Sequence, residues 1–357
     1  MEKPQRIRVG VVYGGRSTEH SVSCVSAGAV ISHLDPEKYE VIPIGITSEG
    51  MWTLGAADPT QLQLRDGKMP TVPAGEELAL SLNPATRGHI RNLSTGKEHA
   101  VVDVVFPVLH GQFGEDGTIQ GLLELSGVAY VGTGVLSSAC GMDKEFTKKL
   151  AAAEGLPITA EAVLVGRDEL SEQEKQTLGL PVFVKPARGG SSIGVSRVSE
   201  WSQLPAAVAL ARESDPKVIV EAEIIGAEIE VGVLQYPDGR VIASYPAQLN
   251  GTEDSDEGFY GFETKYLDDV VTATIPAPVS DEMTTQLQTL AIEAFHALDC
   301  DGLARVDFFA TESGPVLNEI NTMPGFTPIS MYPQVFAATG VSYPELLDIL
   351  IEQALAH

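Results

Sequence analysis

The sequence predicts an α/β protein of two or three domains, and three observations carry that expectation. Residues 7–12 form a short apolar run that ends at Gly14-Gly15 and leads into an Ala/Val/Ile-containing segment, the pattern of a strand, a glycine loop and a helix. Residues 101–109 are almost continuously apolar, as a parallel strand covered on both faces must be. At 357 residues the chain exceeds one ordinary core.

The first helix is expected to begin around residues 21–23 and the second strand to span 39–46. The stretch 50–100, rich in Pro, Gly and Thr, interrupts this open α/β domain as an elaboration. The apolar run 101–109 enters His110-Gly111-Gln112-Phe113-Gly114-Glu115-Asp116-Gly117, after which 118–125 looks helical. Functional loops belong at the carboxyl ends of such strands. After Gly132-Thr133-Gly134 the texture changes to a helix over 143–154, closed by Gly155 and Pro157. Short strands at 160–165, 181–185 and 218–221 with a helix near 200–213 make a smaller α/β unit. Strands at 228–236 and 240–247 follow, then a polar loop at 250–261 and a helix over 281–298 with Met283, Leu287, Leu290, Ala294 and Leu298 on one face. Ser342 and Glu345 form a capping box that opens the last helix.

Composition is that of a globular protein, with 43% hydrophobic and 20% charged residues. The net charge of -26 argues against a nucleic-acid partner, since no basic stripe displaces counterions. Three scattered cysteines, Cys24, Cys140 and Cys300, fit a reducing compartment better than a disulfide framework. The first residues resemble neither a signal peptide nor a membrane span, so a cytoplasmic protein with no membrane partner is expected.

Two constellations carry chemistry. Lys185 ends a strand and is followed by Pro186-Ala187-Arg188-Gly189-Gly190-Ser191-Ser192-Ile193-Gly194, a small-residue loop whose N–H groups and hydroxyls can approach phosphate oxygens. It is not the Walker pattern, and a flexible surface loop is the alternative. In the second, residues 303–309 and 315–321 read as a hairpin. Period-two alternation puts Arg305 and Asp307 on one face of the first strand and Glu319 and Asn321 on one face of the next. With a three-residue loop Glu312-Ser313-Gly314, Asp307 lies opposite Glu319 and Arg305 opposite Asn321. Facing carboxylates repel unless a cation neutralises them, and hard oxygen ligands suit Mg²⁺. The alternative is a solvated hairpin with one Arg–Asp pair, against which stands the apolar opposite face of Ala304, Val306 and Phe308.

Taken with Gly14-Gly15-Arg16-Ser17-Thr18-Glu19-His20, Met142-Asp143-Lys144, Tyr260 through Lys265-Tyr266 and Asn321-Thr322-Met323-Pro324-Gly325-Phe326-Thr327 with Ser330, the chain resembles the D-alanine:D-alanine ligases of the ATP-grasp superfamily nearly end to end. The resemblance implies a three-domain ATP-grasp architecture with an N-terminal open parallel-sheet domain, and with ATP bound between the central and C-terminal domains. The expected divisions are 1–132 (first D-alanine site), 133–220 (central subdomain) and 221–357 (metal site, with a lid at 250–268). It also implies the reaction: ATP phosphorylates the carboxylate of one D-alanine, and the amine of a second attacks the acyl phosphate, for peptidoglycan precursor synthesis. Both steps move negative charge, so cations and N–H donors should surround the reacting atoms.

By the same resemblance Lys144, Lys185, Ser191 and Ser192 bind ATP phosphates and Lys265 reaches the transferred phosphate. Asp307, Glu319 and Asn321 hold two Mg²⁺ ions, for which Mn²⁺ can substitute. Arg305 and the N–H of Gly325 stabilise the oxyanion. Glu19, held by Ser191 and Tyr266, anchors the first D-alanine ammonium; a helix-start carboxylate is its alternative. Asp307, Ser330 and Met331 face the second D-alanine, and His110 is an active-site histidine. Glu221, Ala222 and Ile224 read the adenine and Glu228 the ribose, with Ala222 standing where some relatives have a lysine. A homodimer is the implied assembly.

Three competing readings are weighed. A D-alanine:D-lactate ligase of the same fold is disfavoured by Tyr266 after Lys265. A non-catalytic nucleotide-binding regulator would be expected to lose the metal ligands or the arginine, all of which are present. A dinucleotide-dependent oxidoreductase lacks its G-x-G-x-x-G run after the first strand. Cys140 has no His/Asp constellation around it and reads as a structural thiol.

Overall fold

The computed structural model describes residues 5–65, 67–190, 192–250, 272–327 and 329–357. The first region alternates β1 (Ile7–Gly14), α1 (His20–His33), β2 (Tyr39–Ile46), β3 (Trp52–Leu54), β4 (Leu78–Leu80), β5 (His89–Asn92), β6 (Glu98–Val101), β7 (Val104–Val108), α2 (Thr118–Ser126) and β8 (Ala129–Tyr130). Its main sheet runs β3-β2-β1-β7-β8, with β2, β1, β7 and β8 parallel and β3 antiparallel. The elaboration at 50–100 supplies β3 and most of a separate antiparallel sheet, β4-β5-β6.

The expected strand over 101–109 is two strands, β6 and β7, in different sheets. The break lies at Val102-Asp103, where the Asp103 carboxylate accepts from the Arg8 N–H at 2.8 Å and from its guanidinium at 2.6 and 3.0 Å. Val102, between half-buried Val101 and Asp103, is itself buried, so hydropathy alone does not reveal the switch of sheets.

The middle of the chain carries α3 (Val135–Met142), α4 (Lys144–Ala153), β9 (Glu161–Leu164), α5 (Glu172–Leu178), β10 (Val182–Pro186), β11 (Ser196–Val198), α6 (Leu204–Arg212) and β12 (Val218–Ala222). The single helix expected over 143–154 is preceded by a second one, α3. Asp143 separates them: its backbone is extended and its side chain accepts from the Phe146 N–H, a helix-starting cap. Strands β11-β10-β12-β9 form an antiparallel sheet covered by α6.

The last region holds β13 (Ala227–Gln235), β14 (Val241–Ala243), β15 (Ala247–Asn250), β16 (Thr272–Thr274), α7 (Asp281–Ala297), β17 (Leu303–Thr311), β18 (Gly314–Asn321), α8 (Met331–Thr339) and α9 (Tyr343–Ala356). The expected strand at 240–247 is split into β14 and β15, because Ser244 turns its N–H and hydroxyl back onto Gly232 of β13. One sheet runs β16-β15-β13-β17-β18, with β14 on β13. Helix α7 buries Leu287, Ala291, Ala294 and Phe295 on one face of it. Helix α9, which buries Leu346, Leu347 and Leu350, packs with α1 against the first sheet, so the chain's end closes over its beginning.

The hairpin of β17 and β18 pairs Asp307 with Glu319 and Arg305 with Asn321, as expected, but by a different route. Thr311 pairs with Gly314, so the turn is the two residues Glu312-Ser313. A bulge restores the offset: Phe308 pairs with Leu317 and Asp307 with Glu319, leaving Asn318 as the extra residue.

Candidate active site

A cavity of about 820 Å³ lies between the β9–β12 sheet and the β13–β18 sheet. Lys144, Lys185 and Glu221 line one wall, and Glu228, Glu230, Asp307 and Glu319 the other; Ser192, Ala222 and Ile224 also face it. A smaller cavity of about 80 Å³ adjoins it, lined by Glu19, His110, Glu115, Arg305 and Gly325 among others. Lys144, Glu319 and Arg305 border both. Thus most sequence-expected residues converge on two connected volumes, one of nucleotide size and one suited to a small molecule.

The charges there are paired. The Lys144 ammonium is 2.9 Å from the Glu319 carboxylate and donates to the Gly189 carbonyl at 2.9 Å. Burial opposes its charge, yet Glu319, helped by Glu221 and Asp307, raises its pKa. Lys185 lies 2.5 Å from Glu221, and burial together with Lys148 and Lys144 lowers its pKa. Glu221 meets Lys148 with its other oxygen. Burial works against its ionisation, but Lys185 and Lys148 bring it down to about 2. Its carboxylate is thus engaged by two lysines. Lys148 is itself buried and also stands 3.4 Å from Glu161.

Arg305 donates to both Asp307 oxygens, Nε at 2.8 Å and Nη2 at 2.7 Å. Asn321 donates to the same carboxylate at 3.0 Å. Burial raises the Asp307 pKa, with Glu230 and Glu319 adding to it and Arg305 opposing. Glu319 moves the other way: burial is outweighed by Lys144, and its pKa falls. Among the described residues no group of three or more His, Cys, Asp or Glu side chains has metal-holding geometry. The donor set nevertheless fits a hard cation. Glu230, Asp307 and Glu319 occupy one cross-strand row against two cations, and the buried Glu230 Oε2 has no hydrogen-bond partner.

At the smaller cavity, Glu19 sits at the N-cap of α1, where the helix-start reading also puts it, but makes no side-chain capping bond. Gly111, at φ +70, leaves room for it: a Cβ there would meet Glu19 Oε2 at 2.7 Å. His110 is buried with both ring nitrogens engaged, Nδ1 at 3.1 Å from the Met323 carbonyl and Nε2 at 3.2 Å from Ser26 Oγ. Burial lowers its pKa, against the pull of Glu19. A neutral ring donating from Nδ1 satisfies both contacts and ties the 323–326 loop to α1. Ser330 and Met331 stand outside both linings; Ser330 Oγ accepts from the Thr327 N–H at 3.0 Å and pairs with its hydroxyl at 2.7 Å. Ser191, Lys265 and Tyr266, with the loop expected as a lid at 250–268 apart from Asn250, lie outside the described residues.

The root of the 186–194 loop is held from behind. Asp215, buried after α6, accepts from the Arg188 N–H at 2.9 Å, from its Nε at 3.0 Å and Nη2 at 2.7 Å, and from the Lys217 N–H at 3.0 Å. Lys217 in turn donates to Asp143 and Glu145, each at 2.7 Å, so the loop root and the start of α4 share one ionic network.

Sequence reasoning did not single out Glu115, Lys148, Asp215 or Glu230. Glu115 accepts from the Gly111 N–H at 2.6 Å, and burial, with Glu19 nearby, pushes it up to about 8. Its signal was its place in the His110 motif. For Lys148 it was the one-turn spacing from Lys144, and for Glu230 the alternation with Glu228.

Comparison with known proteins bears on this site. A family model described as D-ala D-ala ligase N-terminus matches residues 8–133, and one described as D-ala D-ala ligase C-terminus matches residues 147–352. The chain is 67% identical to a D-alanine--D-alanine ligase of Corynebacterium efficiens, over 98% of this chain and 97% of that one. It is 59% identical to one from a Mycobacterium species, over 99% and 97%. Among solved structures, the D-alanine-D-alanine ligase from Coxiella burnetii superposes with a TM-score of 0.84 at 34% identity, covering 98% of this chain and 94% of the other. The VanG D-Ala:D-Ser ligase from Enterococcus faecalis gives 0.84 at 35% identity, covering 98% and 100%.

Proposed function

The chain belongs to the D-alanine–D-alanine ligase family of ATP-grasp enzymes, and from that premise we propose how its residues divide the work of joining two D-alanine molecules. The protein is an ATP-dependent ligase that forms D-alanyl-D-alanine. The observation that carries the division of labour is the pair of adjoining cavities with Lys144, Glu319 and Arg305 at their junction.

ATP occupies the larger cavity. Lys144, Lys185 and Ser192, with Ser191 and Lys265, hold its phosphates; backbone groups of 221–224 read the adenine, and Glu228 the ribose. Asp307, Glu319 and Asn321 hold two Mg²⁺ ions, which when bound neutralise phosphate charge. Lys144 then exchanges Glu319 for a phosphate. The first D-alanine lies in the smaller cavity, its ammonium at Glu19, with Ser191 and Tyr266 completing that network. Its carboxylate reaches the junction, where Arg305 and the Gly325 N–H stabilise charge on the acyl oxygen through both steps. His110 keeps the 323–326 loop in place. Ser330 and Met331 at the start of α8, with Asp307, receive the second D-alanine. Closure of the 250–268 lid excludes the water that would hydrolyse the acyl phosphate.

The divisions 1–132, 133–220 and 221–357 are proposed as the domains, and the two family matches at 8–133 and 147–352 are compatible with a boundary near 132. A homodimer is supported by Leu125 and Leu136, 66% and 62% exposed on the adjacent helices α2 and α3. A cytoplasmic place in peptidoglycan precursor synthesis is supported by three unpaired cysteines; among the described residues no helix is long and apolar enough to cross a membrane. The test is mass spectrometry of the product from ATP, Mg²⁺ and D-alanine, with ADP and phosphate followed in parallel. D-alanyl-D-alanine, with ADP release only when D-alanine is present, is expected. A dominant ester with D-lactate offered as the second substrate would overturn the choice.

A further inference from the structure

Strand β13 turns Glu228 and Glu230 toward the larger cavity and buries Ile229, Val231 and Val233 in the core beneath. Its register sets Glu230 opposite Asp307, and Asp307 is opposite Glu319, so three carboxylates stand in one row across three strands. Directly opposed side chains sit about 5 Å apart at Cβ, so the row needs cations. Lys144 serves Glu319, and Arg305 serves Asp307 through two hydrogen bonds. Glu230 stands apart: 4% exposed, it approaches Arg305 Nε at 3.3 Å, but its Oε2 makes no hydrogen bond. A buried acceptor left unmade is costly, so an alternative state that uses it would recover that cost.

Asp307 has two demands on it. Both of its oxygens accept from Arg305, and as a metal ligand it must offer at least one to a cation about 2.1 Å away. A divalent ion and a guanidinium sharing that oxygen repel each other, so one hydrogen bond to Arg305 must loosen. Among the described residues, Glu230 is the other carboxylate within ion-pair reach of Arg305.

We propose that Glu230 is a positioning residue that retains Arg305 at the junction of the two cavities when Asp307 turns to the metal. The arginine shifts its weight from one strand neighbour to the other, and its outer nitrogens stay directed at the acyl oxygen. The inference rests on the assignment of Asp307 as a metal ligand made above.

Glu230→Gln keeps the size and removes the charge. It is expected to lower kcat about 10- to 100-fold while the KM values for ATP and D-alanine stay within about threefold, because a displaced Arg305 costs rate more than binding. In the ADP complex, with Arg305 left on Asp307, Mn²⁺ binding followed by electron paramagnetic resonance should weaken about tenfold. The ligand-free thermal midpoint should move by no more than about 2 °C, since Asp307 holds Arg305 in that state. Glu230→Asp should restore part of both kcat and Mn²⁺ affinity. Wild-type kcat and Mn²⁺ affinity in Glu230→Gln would overturn the proposal. So would a kcat loss that tracks a lowered ligand-free midpoint and that Glu230→Asp does not relieve. Unchanged Mn²⁺ affinity in Asp307→Asn would instead overturn the metal assignment, and this inference with it.

Discussion

Replacing Asp215 by Asn should loosen the root of the phosphate loop at a cost that can be worked from its hydrogen bonds. Oδ2 accepts from the Arg188 N–H and Nε, and Oδ1 from Arg188 Nη2 and the Lys217 N–H. An amide turned either way sets its NH₂ group against two donors, one of them a backbone N–H. A backbone donor left unmade costs about 1–3 kcal/mol. The lost charge-assisted bond adds less than its buried value, because the Arg188 side chain is 49% exposed and solvent screens it. The total is roughly 2–4 kcal/mol. Urea unfolding should show that difference, and steady-state kinetics should show KM for ATP raised about tenfold, since the loop rooted at Arg188 is released. Asp215 ionises more readily in the folded protein: burial opposes this, but Arg188 and the two N–H groups outweigh it and lower its pKa. Its contribution is therefore present above the unfolded carboxylate pKa and is lost as pH falls through the lower folded value. The gap between wild type and variant should stay constant from about pH 5 to 8 and narrow below about pH 4. A variant within about 0.5 kcal/mol of wild type, or one with unchanged KM for ATP, would refute the reasoning.

Lys148→Met should destabilise by about 3–5 kcal/mol in urea unfolding, because it takes the cation from the buried Glu161 and leaves Glu221 with Lys185 alone. Gly111→Ala forces a left-handed alanine costing about 1–2 kcal/mol, and its methyl displaces Glu19. KM for D-alanine should rise in that variant while KM for ATP holds. Glu115 is held protonated, its pKa pushed up to about 8 by burial and Glu19. As an acid raised on folding, it costs the wild type stability as pH rises from its unfolded value toward the folded one. Glu115→Gln escapes that cost and should gain on wild type by up to about 1.4 kcal/mol per pH unit between pH 5 and 8, read by urea unfolding at each pH.

What the sequence made legible was local. Strand β2 spans the expected 39–46, and the helix over 281–298 lies within one residue of its bounds, because period and capping reside in contiguous residues. The 186–194 loop and the acidic hairpin were likewise visible as residue types on neighbouring positions. The residues that hold them were not. Asp215 meets Arg188 across 27 positions, Lys148 meets Glu221 across 73, and Arg8 stops a strand by binding Asp103 across 95. Such partners are chosen by the packed fold, and no spacing rule points to them. The Asp307–Glu319 pairing was reached from a three-residue loop that does not exist; turn and bulge differ from it by compensating amounts.

That compensation separates two jobs along one hairpin. The bulge at Asn318 lies between the exposed tip at Glu312-Ser313 and the functional row, so the tip is mechanically insulated from the chemistry. The tip is thus a port where a short tag or reporter can be spliced in while Asp307 and Glu319, and Arg305 and Asn321, keep their alignment. Removing Asn318 would close the bulge into a regular ladder that still sets Asp307 opposite Glu319 and Arg305 opposite Asn321, so the row's alignment does not depend on the extra residue.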